Sequence, residues 1–258
     1  MRLVLRCLVL VEMLFLSGCV ASRPVENPIP SVFYPAGESQ SQDLYVFLPG
    51  RGDAMDAFQE NGFIDMLRTA KPGADAVAID AHMPYYEKGL MADQVFRDVV
   101  EPYKRKGYQN IVLVGISLGG YGALWLSNAY PDEIASVVLL APFLGMNPLI
   151  ERIGDAGGID QWRAQLDHEP AFDELAWLWA DDLRNNQSGL IDTAILGYGQ
   201  SDRFAGAAEL LATIIPAPNV FSAEGGHNWT TWKELWAEII ESPAFSHPGD
   251  ANPDGAKK

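Results

Sequence analysis

Cysteine is scarce in this chain. The 258 residues contain two, Cys7 and Cys19, and both lie near the N-terminus. Histidine is scarce too, with four scattered residues and no Cys/His cluster at zinc spacing. A structural zinc site is therefore not expected. Basic residues are outnumbered: 18 Lys and Arg against 34 Asp and Glu give a formal charge of -16. No basic excess is available to displace counterions from phosphates, so a nucleic-acid partner is not expected. Electrostatic attraction to anionic lipid is not expected either, and the acidity favours solubility. Nearly half of the residues are hydrophobic, enough for a buried core in one large domain.

The N-terminus stands apart. Arg2 and Arg6 precede and interrupt an apolar stretch, Leu3 to Leu16, blemished by Glu12. The stretch is shorter than the roughly 20 residues a membrane span needs. It has the layout of a secretory signal. It ends in Leu16-Ser17-Gly18-Cys19, which resembles the lipobox of bacterial lipoproteins. That resemblance implies a signal peptide over 1–18, cleavage before Cys19 and lipid on its sulfur. Cleavage also removes Cys7 and leaves no free thiol, so the resemblance implies no disulfide and no cysteine nucleophile. Each buried acyl methylene contributes about 0.8 kcal/mol, so two or three chains anchor firmly. Lipoproteins with an aspartate after the cysteine tend to stay at the inner membrane. Val20 stands there, so the resemblance implies the outer membrane of a bacterial envelope, facing the periplasm.

Residues 19–42, with Pro24, Pro28, Pro30 and Pro35, read as a lipidated cysteine and a proline-stiffened tether. Extended, it reaches roughly 70 Å at about 3.3 Å per residue. Residues 243–258, rich in proline, glycine and charge, read as a disordered tail. One domain, 43–242, lies between. Within it, apolar runs at Leu44–Leu48, Ala76–Ile79, Ile111–Val114, Val137–Leu140, Ala194–Leu196 and Val220–Ser222 predict strands buried on both faces. Phe96, Val99, Val100 and Tyr103 form a helical face, and Gly119–Ala129 predicts a helix that stops before Pro131. Thr231 with Glu234 predicts a capping box opening a helix that buries Leu235, Trp236, Ile239 and Ile240. Alternating strands and helices predict an α/β fold: a mostly parallel, doubly wound sheet covered by helices.

One apolar run ends unusually, as Val112-Leu113-Val114-Gly115-Ile116-Ser117-Leu118-Gly119-Gly120. Gly-x-Ser-x-Gly between a strand and a helix resembles the nucleophile elbow of the α/β-hydrolases. In that turn the serine oxygen is lifted into the open. Strand and helix then approach too closely for side chains two residues before and after it, where Gly115 and Gly119 stand. The segment lacks the lysine of a phosphate loop and the order of a dinucleotide fingerprint.

A serine needs a base, and the base needs an orienting group. The resemblance implies the chain order serine, acid, histidine. His168, His227 and His247 follow Ser117. His227, in Gly225-Gly226-His227-Asn228-Trp229 after the last strand, is the expected base. Asp202 lies just past the carboxyl end of the run ending at Leu196, the edge where sites of such sheets gather. Asp192 begins that strand and faces the wrong edge. The resemblance also implies oxyanion donors: the backbone N–H of Leu118 and one from Leu48-Pro49-Gly50-Arg51-Gly52-Asp53, assigned to Arg51 rather than Gly52. The side chains of Arg51 and Asp53 read first as surface loop charges.

The likeness to the α/β-hydrolase superfamily spans roughly Asp43 to Ser242, and Gly226-His227-Asn228-Trp229 with Trp232 resembles small esterase-D-like esterases. It implies a small acyl-ester substrate and no cofactor. The stretch from about 143 to 190 is too long for a simple connection and carries Trp162, Trp177, Trp179 and Phe172. It is expected to form a helical cap lining the substrate pocket, with ordinary packing on the sheet as the alternative. Trp229 and Trp232 fit either the cleft or the core. The triad expectation is a lipid-anchored esterase; an acyltransferase or peptidase uses the same groups, and a non-catalytic envelope lipoprotein uses none of them.

Overall fold

The computed structural model describes residues 23–37, 42–185 and 187–245. Cys19, the signal segment and His247 lie outside the described residues. Seven strands form one sheet: β1 Ser31–Tyr34, β2 Asp43–Leu48, β3 Asp75–Ile79, β4 Asn110–Ile116, β5 Ser136–Leu140, β6 Ile195–Gly199 and β7 Val220–Ala223. Their order is β1-β3-β2-β4-β5-β6-β7, and every pairing except β1 with β3 is parallel.

The sheet divides the core into two layers, because successive side chains on a strand face opposite sides. On β2, Leu44, Val46 and Leu48 join one layer while Tyr45 and Phe47 join the other. The first layer is covered by the helical run from Met91 to Arg105, by Leu118–Ala129 and by Phe172–Asn185. The second is covered by Phe63–Ala70 and Trp229–Glu241, where Phe63 and Trp236 stack with ring centroids 5.6 Å apart. The mostly parallel, doubly wound α/β sheet is therefore the observed architecture. The 96–103 face sits in a helical run whose middle, Phe96–Val100, is wound as a π-helix. Among the described residues, no helix is long and apolar enough to cross a membrane.

Three boundaries are corrected. The tether expected over 19–42 is domain in part. Ser31–Tyr34 pairs antiparallel with β3, Ile29 is buried, and Arg23 pairs with Asp80 at 2.7 Å. Pro30 and Pro35 flank this edge strand rather than interrupt it, which is where proline is tolerated in a sheet. The tail expected over 243–258 is domain at its start, and 246–258 lie outside the described residues. Phe245 is buried, its ring 5.5 Å from Tyr45 and 5.4 Å from Trp236. The last helix starts at Trp229, before the expected capping box. Its N-cap is Asn228, whose side chain accepts a hydrogen bond from the Thr231 N–H at 3.1 Å.

Candidate active site

β4 runs directly into the helix Leu118–Ala129, and Ser117 forms the joint. Its backbone is left-handed, with φ 53° and ψ -112°. Such a conformation costs a non-glycine residue about 1–3 kcal/mol and persists only where its surroundings enforce it. Here the Ser117 N–H donates to the Leu140 carbonyl at 3.0 Å, and the Ser117 carbonyl accepts from Phe143 at 2.9 Å and Gly120 at 3.0 Å. The flanking glycines answer a steric demand. A Cβ on Gly115 would strike the Gly119 carbonyl, and one on Gly119 would strike the Leu48 carbonyl of β2. Gly120 is also close-packed, since a Cβ there would stand 2.8 Å from that of Pro142.

The acid and the histidine come from neighbouring loops after β6 and β7. Main-chain bonds lace those loops together: Gln200 N–H to Ala223 at 2.9 Å and Ser201 N–H to Gly225 at 2.9 Å. Gly199 allows the approach, because a Cβ there would lie 2.5 Å from the Gly225 carbonyl. Gly225 itself has φ +118°, a region that favours glycine.

These loops bring the three expected side chains into one chain of hydrogen bonds. His227 Nδ1 lies 2.7 Å from Asp202 Oδ2, and His227 Nε2 lies 2.9 Å from Ser117 Oγ, across 110 residues of sequence. With the Nδ1–H donating to the carboxylate, Nε2 is free to accept the serine hydroxyl proton. The other oxygen of Asp202 accepts from the Phe204 N–H at 2.8 Å, which fixes the carboxylate in its buried seat. The imidazole is held edge-on between Phe204, 5.0 Å away, and Trp232, 4.9 Å away. Trp232 thus serves the site, while Trp229 packs against Phe58 and Phe63 in the core.

Leu118 and Arg51 both border the same cavity as Ser117. Leu118 opens its helix, so its N–H belongs to the unsatisfied first turn where developing negative charge is favoured. The loop of Arg51 passes beside the serine: a Cβ on Gly50 would lie 3.6 Å from that of Ser117. Asp53, on the same loop, accepts from the Trp229 indole at 3.4 Å. Burial pushes its carboxyl upward, against a smaller lowering effect of that bond.

The cavity holds about 420 Å³, in the range of sites for small organic ligands. Met83, Phe143, Met146, Phe172 and Phe204 give it an apolar lining, and Arg51 and Arg203 give it cationic groups. The stretch 143–190 therefore contributes Phe143, Met146 and Phe172, but its tryptophans are spent on packing. Trp177 is fully buried and donates to the Leu144 carbonyl at 2.8 Å, and Trp179 stacks on Trp125 at 5.4 Å. Trp162 is buried away from Ser117, beside Arg152 and His168. Met83, Arg203 and Phe204 were not among the expected site residues. Their signal was position, just beyond the carboxyl ends of β3 and β6. His168, the other described histidine after Ser117, is bonded to Glu174 and has no part in the site.

The family described as alpha/beta hydrolase fold matches residues 46–173, which include the elbow. The chain has the α/β-hydrolase fold. No curated protein matches it in sequence. Similar solved structures share the fold at low identity. Est1E from Butyrivibrio proteoclasticus is 16% identical, with a TM-score of 0.57 over 84% of this chain and 93% of its own. MGS-MChE2, an alpha/beta hydrolase from the metagenome of lagoon sediments at Mar Chica, Morocco, is 19% identical, with a TM-score of 0.54 over 84% and 94%. The S-formylglutathione hydrolase FrmB from Staphylococcus aureus is 14% identical, with a TM-score of 0.53 over 78% and 80%. All three side chains of the hydrogen-bonded chain stand at the carboxyl edge of the sheet.

Proposed function

We propose that the protein is a serine hydrolase that cleaves carboxylic esters through an acyl-enzyme on Ser117. The observation that carries this reading is the unbroken chain Asp202–His227–Ser117 opening onto an apolar cavity. Ser117 Oγ attacks the ester carbonyl as His227 Nε2 takes its proton. Asp202 holds the imidazole in the needed tautomer and stabilises the imidazolium. The N–H groups of Leu118 and Arg51 receive the oxyanion, a contribution of about 10²–10³-fold in turnover for each donor. His227 then gives its proton to the departing alcohol. Water repeats the sequence on the acyl-enzyme and releases the acid. The apolar wall from Phe143, Met146 and Phe172 supports a short to medium acyl or alcohol group as the recognised part. Hydrolysis of p-nitrophenyl acetate or butyrate tests the reading. Wild-type protein is expected to turn them over, and a Ser117→Ala variant with undiminished rate would end it.

The same proposal includes an anchor, supported by the sequence Leu16-Ser17-Gly18-Cys19 alone. Lipid on Cys19 would hold the enzyme at a bacterial envelope membrane, on the outer membrane's periplasmic side given Val20. Because Arg23 is already bonded to Asp80, the four steps from Cys19 span at most about 13 Å. The domain would thus sit against the membrane rather than on a long leash. Incorporation of labelled palmitate, lost in Cys19→Ala, checks this.

A further inference from the structure

Arginine is distributed unevenly over this acidic protein. Each described arginine away from the cavity pairs with a carboxylate, from Arg23 on Asp80 through Arg68 on Asp65, Arg97 on Asp98 and Arg105 on Glu101 to Arg184 on Asp181. Arg152 and Arg163 do the same with Glu174 and Asp181. Two make no ion pair among the described residues, Arg51 and Arg203, and both border the Ser117 cavity. Their origins differ, one from the loop after β2 and the other from the loop after β6. Arg203 is held by packing, its guanidinium 4.8 Å from the Phe204 ring centre.

Nor does the site supply an anion for them. Among the described residues, the cavity lining contains no carboxylate. Of the carboxylates close by, Asp202 is bonded to His227 and the Phe204 N–H, Asp53 to Trp229, and Asp173 lies beside Gly145, next in the chain to the lining residue Phe172. In a chain of charge -16, abundant partners exist elsewhere, so two unpaired guanidinium groups at one opening need another explanation. A guanidinium presents a planar fork that suits carboxylate, phosphate or sulfate. Against the surrounding negative field it also makes the opening the place where an anion is tolerated.

We infer that the site takes esters bearing an anionic group, with Arg51 and Arg203 as its recognition pair. This rests on the hydrolase reading above and names its substrate class. Both guanidinium groups are solvent-exposed, so the preference is moderate, about tenfold for the pair.

Two matched substrate pairs test it. Mono-4-nitrophenyl adipate against 4-nitrophenyl hexanoate puts the charge on the acyl half. 4-Acetoxybenzoate against 4-acetoxybenzamide puts it on the alcohol half. The expected result is a kcat/KM ratio of charged to neutral ester near tenfold in one arm. That ratio should fall towards unity in the Arg51→Gln/Arg203→Gln double variant and with rising salt. Equal or slower cleavage of the charged ester in both arms would overturn the inference while leaving the hydrolase reading intact. Binding of the same four compounds to Ser117→Ala by calorimetry separates the two ideas. Tighter binding of an anion supports the inference even if no ester is turned over; equal affinities within both pairs overturn it.

Discussion

Two histidines in this protein each lean on a buried carboxylate, and only one of them is placed to do chemistry. His227 meets Asp202 at 2.7 Å, and His168 meets Glu174 at 3.0 Å; both carboxylates are 1% exposed. The difference lies in the other ring nitrogen. That of His227 reaches Ser117 Oγ, and the ring is 13% exposed. That of His168 points to Asp167 at 3.5 Å, and the ring is 50% exposed. Glu174 also receives Arg152 and the Ala171 N–H, both at 2.9 Å, so it is a structural knot between helices. A histidine–carboxylate pair is therefore not a catalytic signature in itself. The third partner makes it one, together with the strained turn that presents it.

Substitutions break the comparison in graded steps. Ser117→Ala or His227→Ala is expected to lower ester turnover about a millionfold, whereas His168→Ala leaves it unchanged; progress curves on p-nitrophenyl butyrate measure both. Asp202→Asn leaves the packing but favours the wrong imidazole tautomer, with a loss on the order of 10⁴-fold. Gly119→Ala attacks the elbow instead. Its methyl group collides with the Leu48 carbonyl, so a destabilisation of roughly 2–3 kcal/mol is expected in urea unfolding, with turnover reduced as well.

Glu174→Gln is the smallest effect and is confined to stability. Burial is the strongest single influence on Glu174 and opposes its ionisation. The bonds from Ala171, His168 and Arg152 together outweigh it and hold the carboxyl below its ordinary 4.5. Glu174, and more weakly Asp167, raise His168 above its ordinary 6.5. The Glu174 contribution is present above 4.5 and is lost as pH falls through the lowered value. The His168 contribution is present below 6.5 and is lost as pH rises through the raised value. The variant should melt roughly 3 °C lower between those limits, with a smaller gap on either side, and turn over esters normally.

The layout of this fold was legible where the physics is local. Strands buried on both faces must be apolar throughout, so β2 to β6 stand out as runs; β7 lies at the sheet edge with Ser222 exposed, so its expected burial on both faces does not hold. β1 does not stand out, because four residues with an exposed side and prolines at both ends read as linker. The elbow was legible because a close approach of strand, helix and β2 leaves glycine as the only residue that fits. The lining of the cavity was legible in part: the 143–190 stretch supplies Phe143, Met146 and Phe172 as expected, while Met83 comes from beyond β3 and Arg203 and Phe204 from beyond β6, a meeting that no spacing in the chain encodes. Asn228 and Thr231 both suit a cap, and Asn228 takes the role by accepting the Thr231 N–H, so the last helix starts earlier than the Thr231–Glu234 box implies.

The relay among Ser117, His227 and Asp202 is tested most directly by the rate at which a fluorophosphonate probe bonds to Ser117. Wild-type protein should label at Ser117 and at no other serine, with labelling slowed by orders of magnitude in His227→Ala and untouched in His168→Ala. An unlabelled Ser117, or one labelled equally fast without His227, would contradict the account.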